Sequence, residues 1–139
     1  MPKFSQESFS HLTTCHPDLQ AIFFEVIKNM DCTIIQGFRN QTEQEADFAA
    51  GKTKLQWPHG KHNASPSMAV DVAPYPVDFS NANQSIMRYY FFAGYVVRTA
   101  EELRLQGKVQ HGIRWGGNWS GDLHLPIQKF NDLVHFELV

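Results

Sequence analysis

The stretch HNASPSMAVDVAPYP, residues 62–76, sets an aspartate in the middle of a short apolar run, Met68-Ala69-Val70-Asp71-Val72-Ala73. The run is β-branched and ends in prolines, so it reads as a strand with a buried face. A carboxylate in such a strand costs on the order of several kcal/mol unless a positive group meets it. An arginine, a helix N-terminus or a metal ion would meet that need.

Working outward, residues 17–30 (PDLQAIFFEVIKNM) carry Leu19, Ile22, Phe23, Val26, Ile27 and Met30 at helical spacing. Residues 32–38 (CTIIQGF) read as a strand. A short helix starts at Asn40 and closes at Gly51. Residues 52–67 are loop-like. Ser85 to Leu105 forms the longest helix, with Gly107 as its stop. Gly112 to Trp115 and Val134 to Leu138 read as strands. The pattern implies an α+β fold: a small, mostly antiparallel sheet with helices packed on one side.

The chain has 139 residues, 42% of them apolar, enough for one domain over residues 1–139 with one core. The net charge of -2, without clustered Lys or Arg, argues against nucleic acid as a partner. The two cysteines, Cys15 and Cys32, are too few for a disulfide scaffold and read as free thiols. MPKFSQESFSHL lacks the basic start and apolar core of a signal peptide. No run is long enough to span a membrane, so membrane insertion is not expected. A monomer is expected.

Of the seven histidines, those near a carboxylate in ordered sequence carry the most chemistry. His62 and Asp71 flank a Ser- and Pro-containing turn, which would bring them across a hairpin from each other. In Asp132-Leu133-Val134-His135-Phe136-Glu137, His135 and Glu137 alternate onto one face of a strand. His62, Asp71 and His135 supply the three N/O ligands that a catalytic zinc site requires, with a fourth position left for water. Asp132, at the entry to the last strand, fits the general base. The absence of thiolates suits zinc over iron–sulfur or copper(I). From the residues alone, a second arrangement stays open: Asp71 paired with Arg39, and His135 unrelated to it.

The blocks GFRNQTEQ (37–44), GKHNASPSMAVDVAPYPVDF (60–79), HGIRWGGNW (111–119) and DLVHFEL (132–138) run in one order through most of the chain. Together they resemble the M15 zinc peptidases. More narrowly, they resemble the phage endolysins that cleave L-alanyl-D-glutamate bonds in bacterial peptidoglycan. The resemblance implies the α+β fold shared with D-Ala-D-Ala peptidases and the hedgehog signalling domain. It implies Zn2+ on His62, Asp71 and His135, Asp132 as the catalytic carboxylate, and Arg39 binding substrate or steadying the oxyanion. Glu137 is the competing base, or a carboxylate that orients a histidine ligand from behind. His59, Trp115 and Trp119 are candidates for the cleft wall. Gly60, Val134 and Asn118 depart from the family pattern, where serine, proline and aspartate are usual. None of the three is a proposed ligand.

The partner implied is bacterial peptidoglycan, with no separate wall-binding domain. The implied location is the host cytoplasm before lysis and the cell wall afterwards. The alternatives within this resemblance are a D-Ala-D-Ala carboxypeptidase and a non-catalytic zinc-containing binding module.

Overall fold

Four strands pair in the order β1-β2-β4-β3, and every pairing is antiparallel. They are β1 (Cys32–Gln36), β2 (Ala69–Pro74), β3 (Ile113–Gly116) and β4 (Asp132–Leu138). The α-helices are α1 (Gln6–Leu12), α2 (Pro17–Val26), α3 (Gln41–Ala49) and α4 (Asn83–Leu105). The computed structural model describes residues 2–139. No helix among them is long and apolar enough to cross a membrane.

The helix starts follow from side-chain chemistry. Pro17 opens α2, and His16 Nδ1 accepts the Asp18 backbone N–H in front of it. Asn40 and Glu43 cap α3 reciprocally, each side chain accepting the other's backbone N–H. Gly107, at φ 74°, takes the left-handed conformation that ends α4.

Alternation along the strands divides the sheet into two chemical faces. Val70 and Val72 of β2 and Phe136 and Leu138 of β4 are fully or almost fully buried in the core. Phe136 packs edge-on against Phe23 of α2 and Phe92 of α4, at ring distances of 5.6 and 6.1 Å. Asp71, His135 and Glu137 alternate onto the other face. This is why an apolar run tolerates Asp71: its valines turn toward the helices while the aspartate turns away.

The α+β expectation matches the fold, and several boundaries move. Helix α2 ends at Val26, and residues 27–30 form turns. β1 stops at Gln36. β4 begins at Asp132, so this residue opens the strand. The expected hairpin between His62 and Asp71 does not form. His62 sits instead on a 3-10 turn, Lys61–Asn63, and β2 pairs with β1 and β4.

Candidate metal centre and cleft

Three donors converge on the polar face of the sheet. His62 Nε2 lies 3.3 Å from Asp71 Oδ1, and His135 Nδ1 lies 3.4 Å from the same oxygen. One ligand atom from each residue falls within 4.8 Å of the others. Asp71 and His135 face each other across the β2–β4 ladder. His62 arrives on its turn, fixed because its Nδ1 bonds the Gly37 carbonyl oxygen at 2.8 Å. Gly37 has no room for a side chain, since a Cβ there would collide with Thr14 Oγ1 and the His11 carbonyl.

The far nitrogen of each histidine is thus occupied. Glu137 Oε1 holds His135 Nε2 at 2.8 Å, while Arg114 Nη2 donates to Glu137 Oε2 at 2.7 Å. His62 Nε2 and Asp71 Oδ1 are buried and have no hydrogen-bond partner. A buried polar atom left unpaired costs about 1–3 kcal/mol, so two converging on one point mark a place built for a ligand. Two imidazoles and a carboxylate suit a borderline divalent cation such as zinc. A partner on the outer nitrogen of each metal-binding histidine is the usual accompaniment.

A second grouping, His16, Asp18 and His111, has similar composition. Its atoms are already paired. Asp18 Oδ2 accepts from the backbone N–H of Gln110 at 2.9 Å, that of His111 at 3.1 Å, and His111 Nδ1 at 2.8 Å. His16 Nδ1 is committed to its cap. This cluster is a hydrogen-bonded knot that pins the α4–β3 connection to the start of α2.

The electrostatics of the centre are tightly coupled. Burial works against the charge on Asp71, but the imidazoles of His135 and His62 outweigh it and hold its carboxyl well below the usual range. Burial disfavours protonated His135, yet Asp71 and Glu137 raise it to about 9. Glu137 is lowered to about 2, because His135 and Arg114 together overcome its burial. Asp132 moves the opposite way: burial raises it, and the charge on Asp71 adds to the shift.

Asp132 Oδ2 stands 4.0 Å from His135 Nδ1, on the rim of the donor set. Its backbone is set by Gly116, its partner across β3 and β4. Any Cβ at Gly116 would collide with the Asp132 carbonyl oxygen, so only glycine permits that approach. Arg39 Nη2 lies 3.7 Å from Asp71 Oδ2, and its Nε lies 3.3 Å from Asp47. Its guanidinium also donates to the side-chain oxygens of Gln36 and Gln44. Asp71 Oδ2 therefore faces Arg39 and Oδ1 faces the histidines: the Arg39 pairing is present, but His135 is not unrelated to Asp71 as the second arrangement required.

A cleft of about 630 Å³ opens over this centre, lined by His62, Asp71, His135, Asp132 and Arg39 together with Glu137, Trp119 and Phe130. Trp119 stacks with Phe130 at 6.4 Å and lies 5.5 Å from the His135 ring. Two of the expected wall residues are elsewhere. Trp115 is 5% exposed in the core, where its Nε1 donates to the Leu133 carbonyl and its ring meets Tyr90. His59 is exposed in the preceding loop and does not line the cleft. Sequence reasoning missed Gln44, a buried polar residue on α3, and Arg114, which secures Glu137. The capping box beside Gln44 and the alternation of Arg114 along β3 were the only signals available.

A family model described as phage L-alanyl-D-glutamate peptidase matches residues 1–139. Among solved structures, the chain is similar to the crystal structure of the Serratia marcescens L-Ala D-Glu endopeptidase ChiX. The TM-score is 0.72 at 22% identity, covering 99% of this chain and 90% of that one. At that identity the likeness speaks to the fold. A search of curated proteins found no match.

Proposed function

The chain belongs to the phage L-alanyl-D-glutamate peptidase family, and we propose that it is a zinc enzyme that cleaves this bond in peptidoglycan during host lysis. It acts as a monomer, made in the host cytoplasm and working at the wall. The observation that carries the zinc reading is the pair of unpartnered buried atoms, His62 Nε2 and Asp71 Oδ1, converging with His135 beside Asp132.

His62 Nε2, Asp71 Oδ1 and His135 Nδ1 would hold the ion. When bound, zinc supplies Lewis acidity to the attacking water and to the scissile carbonyl. Asp132 takes the proton from that water and passes it to the leaving amide nitrogen. Glu137 keeps the His135 ring oriented from behind. Arg39 braces Asp71, and its charge lies close to the centre, where negative charge develops on the carbonyl oxygen. Trp119 and Phe130 give the cleft an apolar wall that limits water.

The test is a digest of purified Gram-negative peptidoglycan, with and without chelator, read by mass spectrometry. The expected products are new N-terminal D-Glu peptides and free L-Ala ends, lost with chelator and restored by zinc. Release of terminal D-Ala would instead assign a carboxypeptidase. No cleavage by a folded, zinc-loaded protein would leave a binding module.

A further inference from the structure

The cleft carries lysines that the reaction above does not use. Lys52, Lys54 and Lys61 line it together with Arg39. Lys61 is engaged: it donates to the Leu138 carbonyl and stands 3.5 Å from Glu137. Arg39 is paired with Asp47 and Asp71. Lys52 and Lys54 are exposed and form no ion pair among the described residues.

The two free lysines alternate along Gly51-Lys52-Thr53-Lys54-Leu55, immediately after α3. This stretch is anchored to the centre. Gln44 is 1% exposed, and its side-chain nitrogen donates to the Leu55 carbonyl at 2.6 Å. Its side-chain oxygen accepts from Arg39 at 3.2 Å and from Asn63 at 3.1 Å. One buried amide therefore joins the lysine stretch, Arg39 and the turn that carries His62. The Lys52 backbone N–H also donates to the Asp47 carbonyl at 2.9 Å.

The carboxylates of the cleft have a complementary balance. Asp47 and Asp71 face Arg39, while Glu137 faces Arg114 and Lys61. Asp132 has no lysine or arginine within ion-pair distance among the described residues, and it would repel an anionic substrate.

We propose that Lys52 and Lys54 are specificity-determining residues that dock a free carboxylate next to the scissile bond. The inference rests on the peptidase reading above. In an L-Ala–D-Glu link, the glutamate nitrogen is the leaving group. That glutamate has two carboxyl groups, and the peptide continues through only one. The other remains anionic beside the bond to be cut. Two solvated ammonium groups on an anchored rim meet that charge and offset the repulsion from Asp132. A peptide without this carboxylate gains nothing from them.

The experiment uses two stem peptides, one with the free glutamate carboxylate and one with it amidated. Turnover is measured with zinc-loaded wild type and with the Lys52→Gln/Lys54→Gln double variant. Binding is measured separately by calorimetry, on zinc-loaded Asp132→Asn protein with and without the two lysine changes. For the acidic peptide, kcat/KM should fall about tenfold in the double variant, mainly through KM. The amidated peptide should be a poor substrate for both proteins, with little difference between them. The salt dependence of kcat/KM should flatten in the variant, and Lys52→Arg/Lys54→Arg should restore it. Equal losses on both peptides, or unchanged constants, would overturn the assignment. If wild type cuts neither peptide yet binds the acidic one in a lysine-dependent way, the peptidase reading fails and the carboxylate site stands. Absence of cleavage together with lysine-independent binding overturns the site.

Discussion

Asp71 and His135 are direct partners across the β2–β4 ladder, and this places Asp71 Oδ1 3.4 Å from His135 Nδ1. Two of the three candidate metal donors are therefore positioned by strand register. A slip of one residue in either strand would turn that strand's donor toward the apolar core, so the packing of Val70, Val72, Phe136 and Leu138 protects the centre.

Asp71→Ala removes the shared oxygen and leaves His62 Nε2 without a counter-group. Zinc affinity should fall by about a hundredfold or more, measured by competition with a chromogenic chelator. Activity should fall with it. A folded Asp71→Ala protein with wild-type zinc content would mean that Arg39 alone accounts for the aspartate.

Asp132→Asn and Glu137→Gln should separate proton transfer from ligand orientation. Asp132→Asn should bind zinc normally and lose about 10²- to 10⁴-fold in kcat. Glu137→Gln should lose about 10- to 100-fold in metal affinity and recover much of its turnover in excess zinc. The opposite pattern would make Glu137 the base.

Gly116→Ala should act at a distance from any ligand. The added methyl meets the Asp132 carbonyl and must push the start of β4 outward. Stability should drop by about 1–3 kcal/mol in urea unfolding, with a larger proportional loss of kcat than of zinc affinity. Unchanged kcat would show that the position of Asp132 tolerates the shift.

Asp18 should govern acid stability. Burial raises its carboxyl, but the hydrogen bond from His111 and the backbone N–H groups of Gln110 and His111 hold it below its ordinary 3.8. A depressed folded-state value stabilises the fold above that pH, and the contribution is lost as pH falls through the folded value. Asp18→Ala should therefore cost about 1–3 kcal/mol at pH 7 and progressively less below about pH 4. Equal destabilisation at pH 7 and pH 2.5 would refute this role.

Cys15 and Cys32 should resist alkylation in the native protein. Burial pushes both thiols up to about 12, so little thiolate exists at pH 8. Mass spectrometry after iodoacetamide treatment should show no adduct until denaturant is added.

The placement of Asp71 and His135 on one sheet face was legible because alternation constrains it. In MAVDVAP and DLVHFEL, a polar residue between valines or beside a phenylalanine fixes which face it takes. His62 was harder to place, because a 3-10 turn has no periodicity and its position depends on the Gly37 carbonyl, 25 residues away. Helix α1 left little trace: of its apolar residues, Leu12 is buried and Phe9 is 45% exposed. The two tryptophans could not be separated by type. Trp115 finds a buried carbonyl for its indole nitrogen, whereas Trp119 donates to Phe130 at the cleft.

The amide of Gln44 has a consequence for protein engineering. Because one side chain grips the Leu55 carbonyl, Arg39 and Asn63 together, and the backbone bonds of Gly51 and Lys52 go only to the end of α3, residues 51–55 can be treated as an exchangeable cassette. A segment of different charge transplanted from a relative should seat correctly only where the recipient keeps glutamine at that position. Altering substrate preference would then require no redesign of the sheet.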